Sequence, residues 1–105
     1  MALDVIADRR LQLSGSTAEV IVTVGRPISD GNDYRCDFKI TGLGYDKVQH
    51  AMGVDSVQAL LLALMGIGAR LYTSDEAREG RLTWLDSRNL GFPVPDNIAD
   101  LVPED

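Results

Sequence analysis

The stretch HAMGVDSVQALLLAL, residues 50–64, contains the point at which the hydrophobic pattern of the chain changes period. Before Gly53, Val48, His50 and Met52 alternate with Lys47 and Gln49, the two-residue repeat of a strand. After Asp55, Val57, Leu60, Leu61, Leu64, Ile67 and Leu71 recur at spacings of three and four, the repeat of a helix face. Asp55 stands where an N-cap belongs, and Gln58 three residues later completes a pattern resembling a capping box. The spacing predicts a strand over 45–52 whose core side carries Val48, His50 and Met52. Gly53 then releases the chain from the sheet, and a helix runs over 55–72. Ala59, Ala63, Gly66 and Gly68 form a second, small-residue face on that helix, suited to close approach of another backbone.

Upstream, DYRCDFKI (residues 33–40) sets Tyr34, Cys36, Phe38 and Ile40 against Asp33, Arg35, Asp37 and Lys39, a strand with one buried and one wet face. Ala18, Val20, Val22 and Val24 mark the strand before it. Residues 3–13 form a first strand in which Leu3, Val5, Ala7, Leu11 and Leu13 share a face, with Ile6 and Arg9 breaking the alternation. GRPISDGND, residues 25–33, reads as a connection, because Pro27 and Gly31 interrupt a ladder. RLTWL (residues 81–85) reads as a short last strand. Residues 86–105, with Pro93, Pro95 and Pro103, form an irregular tail holding at most a short helix near 96–102. The fold expected is α+β in two layers: an antiparallel meander of four to five strands with one long helix across one face. The 105 residues make a single domain.

The formal charge of −6 opposes duplex nucleic acid, so nucleic-acid binding is not expected. The same charge suits a basic protein partner. One cysteine, Cys36, excludes an internal disulfide. Asp4 comes too early for a signal-peptide apolar region. The longest apolar run, 57–69, is interrupted by Gln58 and falls short of the roughly 20 residues a membrane span needs. A soluble, cytoplasmic protein with no membrane partner is the expectation.

His50, Asp55 and Ser56 invite comparison with a catalytic triad, which needs the histidine between serine and carboxylate. A capping carboxylate accepts from its own helix, and a serine at the first helical position lacks the strained turn that presents a nucleophile. A core-facing histidine beside a helix cap is the reading adopted, and no catalytic residue is assigned. His50 and Asp55 are kept as candidates for the mouth of a pocket between sheet and helix. One histidine and scattered acids give no metal-ligand spacing, and no cofactor motif is present. Cys36, among inward-facing residues, reads as an inert core thiol. Two surfaces are candidates for contact with a partner: Arg35, Asp37 and Lys39 on the wet strand face, and Trp84 with Phe92 in the proline-bearing segment.

DYRCDFKITGLG, GVDSVQALLLAL, RLTWL and GFPVP together resemble a family of small bacterial proteins of unknown function. That family shares a W-R-C strand, a G-V-D-x-V-Q-A-L helix start, an L-T-W strand and a late G-F-P. The resemblance spans roughly residues 6–95. Tyr34 replaces the usual tryptophan, and the polar link between helix and last strand is longer. The resemblance implies no activity and carries over no functional residue. Three readings follow from the sequence. The first is a non-enzymatic protein-interaction module with a basic partner, of which an immunity protein is one example. The others are a small-molecule-binding domain or enzyme using the pocket, and a homo-oligomer joined through its exposed sheet face or its small-residue helix face.

Overall fold

The computed structural model describes residues 3–44 and 46–104. Its elements run β1 (Val5–Leu13), β2 (Glu19–Gly25), β3 (Ile28–Asp30), β4 (Asp33–Thr41), β5 (Gln49–Gly53), α1 (Ser56–Tyr72), α2 (Asp75–Arg78) and β6 (Leu82–Thr83), followed by a 3-10 helix at Asp96–Leu101. The fold is α+β, an antiparallel open sheet with one main helix packed against it.

Register fixes the order of the strands. Phe38 on β4 pairs with Val24 on β2 and with Gln49 on β5, and Tyr34 pairs with Ser29 on β3 and with Gly53 on β5. A strand has two edges, so β2 and β3 share one edge of β4 while β5 takes the other. With β1 beside β2 and β6 beside β1, the spatial order is β5, β4, β2 with β3, β1, β6. The expected meander is present, and it has six strands because two short ones join it. One of these corrects the reading of residues 25–33 as a connection. From Val24 to Ile28 the chain advances four residues while its partner β4 advances three, from Phe38 to Arg35. The extra residue is absorbed around Pro27, which has no N–H to give a ladder. Pairing then resumes as β3 and closes through the two-residue turn Gly31-Asn32, with Gly31 at φ +65°. The start of the expected 45–52 strand, residue 45, lies outside the described residues, and β5 begins at Gln49.

Leu11, Val20, Val22, Val24, Cys36, Phe38 and Ile40 build the inner face of the sheet, all buried as their alternation predicts. Two expectations fail against that face. Residues directly opposite in an antiparallel pair share a face, and Cys36 lies opposite Ala51 while Asp37 lies opposite His50. Gln49, Ala51 and Gly53 therefore turn inward, and His50 and Met52 turn outward and are exposed. The cause is the first turn of α1, which presses on this end of β5. A Cβ at Gly53 would overlap the backbone nitrogen of Ala59, so no side chain fits at that position.

The helix itself is rotated from the expected orientation. Ala59, Ala63, Ile67 and Leu71 are fully buried against the sheet, whereas Val57 is 63% and Leu61 51% exposed. The small-residue side is the one that faces the sheet. Two alanines one turn apart let the helix axis approach β4 and β5, where Phe38 reaches Gly66. Bulky leucines there would hold the layers apart. The cap at the helix start forms as predicted: the Asp55 carboxylate accepts from the Gln58 N–H at 2.8 Å, and the Val54 N–H donates to Gln58 Oε1 at 2.7 Å.

Candidate functional site

The His50–Asp55–Ser56 cluster is taken apart by these placements. His50 is exposed on the outer face of β5, opposite Asp37, and the Asp55 carboxylate is engaged by the first turn of α1. Ser56 is the first helical residue. No serine–histidine–carboxylate chain is assembled. A cavity between sheet and helix does exist, with a volume of about 620 Å3, but it lies at the other end of α1 and is lined by neither His50 nor Asp55. Ile40, Leu43 and Val48 give it apolar wall, and Lys47, Arg70 and Glu76 stand among its polar lining. The Thr73 and Ser74 hydroxyls beside it are committed to the carbonyls of Ala69 and Leu71, both at 2.6 Å. Arg70 is drawn back along its own helix, donating to the Gly66 carbonyl at 3.2 Å with its guanidinium 5.4 Å from the Phe38 ring centre. With both signs of charge in its lining, the cavity defines no single ligand class.

Cys36 is buried, and its thiol donates to the Gly25 carbonyl at 3.3 Å. Burial, with a smaller contribution from the Asp37 charge, pushes the thiol above its ordinary range. The thiolate is the nucleophilic form, and this shift disfavours it. Among the described residues, no three His, Cys, Asp or Glu side chains gather closely enough to hold a metal ion. Among the described residues, no helix is long and apolar enough to cross a membrane.

The two candidate contact surfaces occupy opposite faces of the sheet. Arg35, Asp37 and Lys39 lie on the outer face of β4, where Arg35 pairs with Asp37 at 3.0 Å and with Asp30 at 3.4 Å. Trp84 and Phe92 belong to the inner side. Arg9 is aligned with buried Val22, and its guanidinium sits 3.8 Å from the Trp84 ring centre and 4.9 Å from that of Phe92. Its Nη1 donates to the carbonyls of Leu90 and Gly91 at 3.1 and 3.3 Å. The apparent break in the β1 alternation is therefore an inward-facing cation with aromatic rings around it. Tyr72 fastens the same segment, its hydroxyl accepting from the Leu90 N–H at 2.7 Å and donating to Asn89 Oδ1 at 3.3 Å. Residues 84–94 thus cover the β1 side of the sheet and end against α1, where the Pro93 carbonyl rests on Gly68.

What neither cover reaches is the outward side of α1. Opposite the buried stripe, Gln58, Leu61, Leu62, Met65 and Ala69 follow one another at helical spacing, and Leu62 is 40% exposed. Val54 and Val57 extend the apolar surface at the helix start. Residues 56–69 contain no Asp, Glu, Lys or Arg. A helix on the surface of a soluble domain ordinarily carries charge on its outer face, and one that is apolar all round is covered on both sides. This stripe was not among the candidates read from the sequence. The signal that marks it is the uncharged run, which a hydrophobic-period reading assigns wholly to the core.

A family model described as a domain of unknown function, DUF6968, matches residues 7–94. No curated protein and no solved structure matches the chain.

Proposed function

The chain belongs to the DUF6968 family, and we propose that it works by binding a protein surface rather than by catalysis, with the outward side of α1 as its docking face. One observation carries this reading: an uncharged, largely apolar stripe on the outside of the long helix α1, in a chain one-quarter charged. Leaving apolar side chains in water forgoes about 1.5–3 kcal/mol for each one that burial would gain. A partner that covers the stripe recovers part of that energy. Contiguous apolar patches of this kind mark contact sites in soluble proteins. Asp55, the carboxylate of the apparent triad, caps its own helix, Cys36 fills the core as its alternation predicts, and the Trp84 and Phe92 rings lie against Arg9.

A photo-crosslinking residue placed at Leu62 in living cells tests the reading, with the same residue at Thr23 on the outer sheet face as control. The expected result is a discrete covalent adduct from position 62 and none from position 23. No adduct at 62, or the same adducts at both positions, overturns it.

A further inference from the structure

We infer that the partner of this face is a second copy of the same chain, the two α1 helices packing antiparallel about a two-fold axis. The inference rests on the docking reading above and adds the identity of the occupant. Electrostatics makes the first selection. The chain carries a formal charge of −6, so a basic protein is the partner its overall charge favours, yet the outward stripe offers such a partner no carboxylate across residues 56–69. The only charged groups flanking that run are Asp55, turned to its own helix cap, and Arg70, turned back to the Gly66 carbonyl. Two chains of the same negative net charge bring no like charges together across residues 56–69. A surface with neither sign of charge fits one of the same composition.

The arrangement of side-chain sizes makes the second selection. An isologous contact requires one patch to complement itself when reversed. With the two-fold axis between residues 63 and 64, Gln58 of one chain faces Ala69 of the other, and Leu62 faces Met65. The long side chain thus meets the small one at both ends, and two flexible apolar side chains meet near the centre. A parallel pairing would set Gln58 on Gln58 and Ala69 on Ala69, too crowded at one end and open at the other. The face is one helix wide, which gives a small interface and places the contact among weak, reversible associations.

Sedimentation equilibrium from about 5 to 500 μM tests the proposal, because that range brackets micromolar association. The wild-type chain is expected to rise toward twice its monomer mass. The Leu62→Glu variant is expected to remain monomeric, with a dissociation constant raised tenfold or more and an unchanged melting temperature, and Lys39→Glu on the outer sheet face to behave as wild type. Added salt is expected to strengthen association by screening the like charges of the two chains. A wild-type chain that stays monomeric, a Leu62→Glu chain that still dimerises, or association that weakens with salt overturns the proposal. The register has its own measurement. Cys36 is buried, so cysteines introduced by Gln58→Cys and Ala69→Cys are the accessible thiols, and a mixture is expected to form the 58–69 disulfide in preference to either symmetric one. Preference for a symmetric disulfide overturns the antiparallel arrangement. Failure of the second-copy proposal is distinct from failure of docking: a monomer whose Leu62 position crosslinks to another protein ends the first and leaves the second standing.

Discussion

The inner face of the sheet has two covers built on different chemistry. Over β4 and β5 lies α1, which contributes alanine and glycine at its closest points and approaches until Phe38 meets Gly66. Over β1 lies a segment without regular structure, residues 84–94, held by an arginine between two rings and by hydrogen bonds to Leu90 and Gly91. The helix satisfies its backbone internally and needs only a surface to rest on. The irregular segment does so only in part, through the Trp84–Ser87 pair, and Arg9 of β1 and Tyr72 of α1 supply its backbone with further partners. An inward-facing arginine is compatible with a core under such a segment because its donors find carbonyls there and its flat face finds rings.

The two covers meet where the Pro93 carbonyl crosses Gly68, and the largest effect is expected at that seam. A Cβ at Gly68 would overlap this carbonyl and crowd Val94 Cγ1 at 3.0 Å, so helix and segment cannot both keep their places. Gly68→Ala is expected to cost about 3 kcal/mol or to detach residues 84–94, because backbone leaves less room to repack than a side chain does. Chemical denaturation with Trp84 fluorescence reads either outcome. An unchanged midpoint would show that the covers do not touch.

Loosening only the second cover should cost less. Arg9→Ala removes the guanidinium from between two rings and leaves the Leu90 and Gly91 carbonyls without that donor, for an expected loss of about 2 kcal/mol. Amide exchange should accelerate around Leu90 while the interior of α1 keeps its protection. Uniform acceleration across both would contradict a separate cover. The smallest effect has the opposite sign. Gly66 lies two residues from Gly68, and a Cβ there meets only the Phe38 ring and the Arg70 guanidinium, both at 3.5 Å, which is ordinary contact. Gly66→Ala is expected to stabilise the chain by about 0.5–1 kcal/mol through helix propensity. A lowered melting temperature would mean that Gly66 serves an approach as close as that at Gly68.

Much of the β-layer was legible because alternation over six or more residues permits only one inward set: Cys36, Phe38 and Ile40 on β4 and Val20, Val22 and Val24 on β2 lie inside as read. The Asp55 cap was legible because it is local chemistry between residues three apart. Short elements were not. Residues 48–52, which include most of β5, offer Val48, His50 and Met52 against Gln49 and Ala51, and hydrophobicity favours the wrong side. The outward apolar stripe of α1 was hidden by its own character, since a helix with leucines on one side and alanines and glycines on the other has two faces able to go inward.

By itself the sequence determined that an antiparallel sheet precedes one long helix, where that helix begins, and what charge the chain carries. These are consequences of period, capping and composition, which act between near neighbours. Only tertiary structure decided which side of α1 meets the sheet, which side of β5 turns outward with His50, and what Arg9 is for. Those outcomes depend on how closely two backbones approach, at Gly53 against Ala59 and at Gly68 against Pro93. Such distances arise between residues far apart in the chain, and side-chain size, more than hydrophobicity, decided them.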